Sequence, residues 1–313
     1  MSAIGQKITF FGFGSQGRAQ ALNARDSGWK VAVYLRPESK RIAEAQKEKI
    51  TVITDPKKAA QETDIAVLLL PDTEQPEFYK NFLEPTLPKK AALVFAHGFN
   101  IHFKQIMPRS DLDCLLVAPA LQGDGLRKNY LEKEPVPILT AIDQDATDRA
   151  YRLVEDLAGA IGGEKTHIIP TTFKEETETD LFSEQAISCG GLTGLIKAGF
   201  DTMVEAGYNP DIAYFCALKE MKALMDVIYQ HGIQGMRSRI SDTARYGDLT
   251  RGPRVIDKEA REKMKTILDE IRSGKFKEEL LEEKKAGWPV LRRRLAEEEN
   301  HLIEKVRKKI DEQ

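Results

Sequence analysis

Hydrophobic positions in the first half of the chain fall into short continuous runs: KITFFG, KVAVYL, IAVLLL, ALVFAH, CLLVAP, VPILTAI and HIIP, the last ending at Pro170. Between them the pattern turns amphipathic, as over Gln16 to Asp26 and Asp145 to Ala160. A run without alternation is buried on both faces, and intervening helices supply the cover. The segment therefore predicts a doubly wound parallel α/β sheet of the Rossmann kind. After Pro170 the short runs stop, and the chain reads as helix, interrupted at Gly190-Gly191, Gly207 and Gly232. Thr172 and Glu175 form a T-x-x-E capping box that starts the first of these helices. The expected division is a dinucleotide-binding domain over 1–171 and an all-helical domain over 172–313.

The first strand runs into a glycine-rich turn. Gly12, Gly14 and Gly17 make G-x-G-x-x-G between a strand and a helix. The glycines permit a tight turn and close approach of backbone to a pyrophosphate, which the helix N-terminus attracts. A purely structural turn is the alternative, and the succession of strand, glycines, helix and second strand favours the dinucleotide. The second strand ends at Leu35-Arg36, followed by Ser39, Lys40 and Arg41. Three cations and a hydroxyl suit the 2′-phosphate of NADPH. Glu38 pulls toward NAD, whose ribose hydroxyl an acid usually holds, and solvated loop charges are the bland reading.

Two pairs on the later helices are spaced four apart and so share a face: Asp180 with Glu184, and Cys216 with Glu220. Asp180 and Glu184 repel unless solvated or joined by a cation, for which magnesium with its oxygen ligands is suited. Taken alone, a solvated helix start explains them as well.

The 313 residues fit two domains. A net charge of -2 gives no footprint for nucleic acid. No stretch approaches the ~18 apolar residues of a membrane span. The opening MSAIGQKITF lacks the pattern of a signal peptide. Cys114, Cys189 and Cys216 include no C-x-x-C pair, which suits reduced thiols and a cytoplasmic location. The charge-rich end, EELLEEKKAGWPVLRRRLAEEENHLIEKVRKK, reads as solvated helix surface.

The segments FGSQGRAQALNARDSG, AHGFNIHF, TTFKEETETDLFSEQ, VEAGYNP and ISDTARYGD…RGPRVID together resemble ketol-acid reductoisomerases of the short class, over essentially the whole chain. The resemblance implies a magnesium-dependent alkyl shift in a 2-acetohydroxy acid, then reduction of the resulting 2-keto acid by NADPH, in branched-chain amino acid synthesis. It also implies a Rossmann domain plus a helical domain intertwined, in a knotted manner, with that of a partner in a homodimer or larger homo-oligomer. By the same match Phe13, Ser15 and Gln16 complete the cofactor turn, Arg36 and Ser39 lie near the 2′-phosphate, and Asp72, Gln75 and Gly123 lie further along the cofactor. His97 takes the catalytic position and Ser241 the substrate-carboxylate position. Asp180, Glu184 and, from the partner, Glu220 take metal positions.

The chain departs from that family at two places. Cys216 stands where the family has a glutamate ligand; a neutral thiol is a poor ligand for a hard cation, and a thiolate prefers softer metals. The thiol's other role is as a small apolar filler. In VAPALQGDGLRKNY, Ala120 occupies the family's lysine position and Asp124 a histidine position, while Gly123 is kept. One magnesium ion rather than two is then expected, with the alkyl shift impaired and 2-keto acid reduction retained. The competing expectations are a complete reductoisomerase with a rebuilt metal site, a reductase of another keto acid or an imine, and a non-catalytic NADPH-binding protein.

Overall fold

β-Branched and aromatic residues favour extended backbone, and a computed structural model, which describes residues 5–311, gathers eight strands from them. They are β1 (Lys7–Phe11), β2 (Lys30–Tyr34), β3 (Thr51–Ile53), β4 (Ile65–Leu68), β5 (Ala92–Phe95), β6 (Asp113–Pro119), β7 (Val136–Gln144) and β8 (Thr166–Pro170). The helices among them are α1 (Ser15–Asp26), α2 (Ile42–Lys47), α3 (Pro56–Gln61), α4 (Gln75–Phe78), α5 (Phe99–His102), α6 (Gly123–Glu132) and α7 (Ala150–Gly162). The first four residues of the opening segment lie outside the described ones.

The sheet order is β3-β2-β1-β4-β5-β6-β7-β8. Pairing is parallel up to β6, as the continuous apolar runs predict. β3 has no counterpart among those runs because it is only three residues long. β7 lies antiparallel to β6, and β8 parallel to β7, so the sheet is mixed at this edge rather than wholly parallel. The reversal follows α6, which ends at Lys133 in the left-handed conformation (φ 55°), and a short link then brings the chain back beside β6. An apolar run buried on both faces carries no mark of its direction. Side chains alternate across the sheet: Ile8 and Phe10 enter the layer beneath α1 and α7, and Phe11 enters the opposite layer with Leu68 and Phe95. Each such side chain contributes about 1.5–3 kcal/mol by leaving water.

The helical part contains α8 (Phe173–Ser183), α9 (Gly190–Glu205), α10 (Pro210–Tyr214), α11 (Glu220–Arg237), α12 (Asp242–Val255), α13 (Lys258–Arg272), α14 (Lys275–Lys285), α15 (Pro289–Glu299) and α16 (Leu302–Asp311). The N-cap half of the box forms, with Glu175 N–H donating to Thr172 Oγ1 at 3.0 Å, while the Glu175 carboxylate accepts from Thr171 Oγ1 at 2.9 Å. Wider π turns follow α8 at Glu184–Ser188 and α10 at Phe215–Lys219. Gly207 and Gly232 take positive φ, ending the α9 segment and kinking α11. Phe200, Tyr214, Ile303 and Val306 form the core of this part. One compact unit ends at Thr177 and the other begins at Glu178, six residues beyond the sequence boundary. Among the described residues no helix is long and apolar enough to cross a membrane.

Candidate functional site

At the C-terminal edge of the sheet, β1 gives way to the glycine turn. Gly12 turns the chain at φ 118°, where a Cβ would lie 2.7 Å from the Leu69 carbonyl oxygen, so glycine is required. Phe13 is buried, Gly14 caps α1, and Ser15, Gln16 and Gly17 open that helix. Its first-turn N–H groups are the donors a pyrophosphate needs. At the end of β2, Arg36 and Lys40 are exposed, and Arg36 lies 4.0 Å from Glu38, which is too exposed to hold it firmly. Ser39 Oγ accepts from the Arg41 N–H, and the Arg41 guanidinium donates to the Phe13 carbonyl. Arg41 thus ties the loop after β2 to the glycine turn, an arrangement the sequence did not disclose.

The altered segment after β6 is fastened to the same turn. Gln16 Nε2 donates to the Leu121 carbonyl at 2.6 Å, and Gly123 sits so close to Ser15 that a Cβ would run into its carbonyl. Arg127 pins α6 onto α1, donating to Asn23 Oδ1 at 2.8 Å and to Asp26 Oδ2 at 2.6 Å. Burial raises the Asp26 pKa, but hydrogen bonds from Arg127 and Arg25 outweigh it and hold the carboxyl below its ordinary value. Gly123→Ala is therefore expected to displace Ser15 and weaken NADPH binding about tenfold. Fluorescence titration with NADPH measures this.

His97 follows β5 and presents its imidazole toward α8. Its Nδ1 lies 3.0 Å from Glu176 Oε1, and the other carboxylate oxygen, Oε2, accepts the Gly98 N–H at 2.7 Å. With two donors converging on it, the Glu176 side chain is only 5 % exposed. Such an acid holds the imidazole in one orientation and favours a proton on Nδ1. Nothing in the sequence singles out Glu176 among the acids of KEETETD except its place one turn after Phe173 and one turn before Asp180.

The helix α8 continues unbroken past Thr177, so Asp180 rides on the same helix as Glu176. Among the described residues, one ligand atom each from His97, Glu176 and Asp180 lie within 4.8 Å of one another. Glu184, at the start of the first π turn, is exposed and does not belong to that group. Asp72 accepts a hydrogen bond on Oδ1 from Gln75, whose own side chain is buried. In the second unit Glu220 opens α11 immediately after the other π turn, with its N–H on the Phe215 carbonyl five residues back. Cys216 lies within that turn, exposed rather than packed as filler in its own chain. Ser241 caps α12, its Oγ accepting from the Ala244 N–H at 3.2 Å.

Comparison with known proteins agrees with this arrangement. A family model described as acetohydroxy acid isomeroreductase, NADPH-binding domain, matches residues 3–167. A second, ketol-acid reductoisomerase, C-terminal domain, matches residues 173–313. The structure of an NADH-preferring ketol-acid reductoisomerase from an uncultured archean superposes with a TM-score of 0.94 at 38 % identity, covering 98 % of this chain and 94 % of that one. Fold likeness alone extends to a semialdehyde dehydrogenase NAD-binding protein from Cupriavidus necator (TM-score 0.66, 19 % identity, 86 % of this chain and 99 % of that one). It extends likewise to a pyrroline-5-carboxylate reductase from Coxiella burnetii (TM-score 0.61, 12 % identity, 86 % and 98 %). The chain belongs to the ketol-acid reductoisomerase family and is an NAD(P)-dependent oxidoreductase.

Proposed function

We propose that this protein is an NADPH-dependent, magnesium-assisted reductase of a 2-keto acid in which the family's alkyl shift is impaired. The observation that carries the reading is the His97–Glu176–Gly98 hydrogen-bonded group just past the C-terminal end of β5. Glu176 holds His97 with Nδ1 occupied, so Nε2 is the nitrogen from which a proton passes. As the substrate's carbonyl carbon gains hydride, its oxygen takes that proton, giving a hydroxy acid and an imidazole that Glu176 keeps in the Nδ1–H tautomer.

Bound dinucleotide supplies the hydride, and bound magnesium supplies a Lewis acid for the carbonyl oxygen. Asp180 and Glu184, with Glu220 of the partner subunit, would hold the ion; carboxylate oxygens suit a hard cation, and the Glu176 carboxylate lies in one group with that of Asp180. Ser241 would receive the substrate carboxylate. Arg36, Ser39, Lys40 and Arg41 favour the 2′-phosphate of NADPH, although the archean relative is NADH-preferring. The second unit leaves Leu195, Ile212, Phe215, Met225, Tyr229 and Ile233 exposed, an apolar surface that suits assembly with a second copy.

A single ion and a proton donor suffice for carbonyl reduction, whereas forming an alkoxide beside a carbonyl calls for two ions. With NADPH and magnesium, turnover of 3-hydroxy-3-methyl-2-oxobutanoate is expected to exceed that of 2-acetolactate by about a hundredfold. Comparable rates would identify a complete reductoisomerase with a rebuilt metal site.

A further inference from the structure

Asn100 lies three residues beyond His97, on α5, and is 1 % exposed. Its Nδ2 donates to the Asp72 main-chain carbonyl at 3.0 Å and to Gln75 Oε1 at 2.9 Å. Gln75 is 4 % exposed and passes the polarity on, its Nε2 donating to the Leu70 carbonyl at 2.8 Å and to Asp72 Oδ1 at 3.2 Å. The direction of this relay is fixed. The carbonyl and the carboxylate only accept, so Gln75 must face them with its amine, present Oε1 to Asn100, and receive the Asn100 amine in turn. The remaining atom, Asn100 Oδ1, is buried and has no protein partner among the described residues. An unpaired buried acceptor is unfavourable, and leucine would fill the same space without one. The two donated bonds are what asparagine adds here.

These bonds join the loop that leaves β4, residues 70–75, to the turn that leaves β5 with His97. On the reading of His97 as the proton carrier, we infer that Asn100 and Gln75 are positioning residues that lock the β4 exit loop to the His97 turn. Both amide nitrogens are spent within this group. They act by fixing the cofactor-side loop and the proton donor at one separation. Gln75, expected along the cofactor, has its amide committed to this relay.

The test compares Asn100→Leu, Gln75→Leu and the double variant, each with NADPH, magnesium and 3-hydroxy-3-methyl-2-oxobutanoate. Each single variant is expected to lower kcat about tenfold while KM for the keto acid stays within about threefold. The double variant should be no slower than the slower single, because breaking either end opens the same relay. A merely structural role would lower the thermal midpoint and leave kcat per NADPH-binding site unchanged. Effects that multiply, or a kcat within about twofold of the parent, overturn the inference.

Should Asn100→Leu fail to fold, Asn100→Ser, which keeps one donor, is expected to show an intermediate loss. His97→Ala separates the two levels. If it leaves kcat intact, the reading of His97 fails; if it abolishes turnover while Asn100→Leu does not, only the relay fails. If the parent does not reduce this keto acid, NADPH affinity serves instead, with both singles and the double weakened alike; unaltered affinity overturns the relay.

Discussion

Glu176→Gln is expected to lower kcat for the keto acid about a hundredfold or more while NADPH affinity stays within about twofold. The substitution keeps shape and volume, so α8 remains seated against the end of β5. Its amide oxygen can still accept the Gly98 N–H. Its amine then faces His97 Nδ1, where Glu176 Oε1 stood at 3.0 Å. Two donors cannot share that line, so the imidazole must offer Nδ1 as acceptor and keep its proton on Nε2. The balancing negative charge is lost as well, and the imidazolium that must release the proton is no longer favoured. His97→Ala should show a loss at least as large, and the double variant little more than either, because the two groups act as one unit. Steady-state rates and NADPH fluorescence titration, run side by side, measure both quantities. A Glu176→Gln enzyme within about threefold of the parent would remove His97 from proton transfer.

The glycine turn was legible because its requirement is local: tight backbone between strand and helix admits few residues, and their spacing is visible in one stretch. The pair Asp180 and Glu184 was legible as two acids on one helical face, but not as a selective arrangement. Asp180 lies with His97 and Glu176, while Glu184 opens a π turn. Helical periodicity in a sequence assumes α geometry, and nothing in EQAIS or FCALK marks the one-residue widening. Glu176 was hidden for a different reason. In KEETETD every acid looks solvated, and the difference between Glu175 at the helix start and Glu176 beneath it exists only once the turn after β5 supplies the Gly98 N–H, 78 positions away. The same applies to Gln16 and Leu121, held together across 105 positions. Long-range contacts of this kind leave no periodic trace, so sequence could name the altered segment at Ala120 but not its attachment to the cofactor turn. The direction of β7 was equally unwritten, since burial on both faces is all that its apolar run encodes.

Ala120→Lys combined with Cys216→Glu is expected to raise turnover of 2-acetolactate, relative to the keto acid, by about a hundredfold. The two positions lie in different units and are each exposed within their own, so neither larger side chain is crowded by its neighbours there. Ala120 follows β6 directly, anchored by its N–H on the Pro137 carbonyl at 2.9 Å, so a lysine would stand at the edge of the sheet on firm backbone. A glutamate at 216 would restore an oxygen donor to the π turn that precedes Glu220, replacing a thiol that disfavours a hard cation. The added cation and the added anion leave the net charge unaltered, so any gain comes from placement rather than from bulk electrostatics. Each single substitution should do less than the pair, because a second metal ligand without the lysine, or the reverse, leaves an unbalanced charge. Keto acid reduction should change by no more than about threefold, since it needs only the proton donor and one cation. Rates with the two substrates, measured across magnesium concentrations, give the ratio. If the ratio stays at the parent's value while magnesium binding strengthens, the obstacle to the alkyl shift lies elsewhere in the pocket, and the loop from Leu121 to Asp124 becomes the place to look.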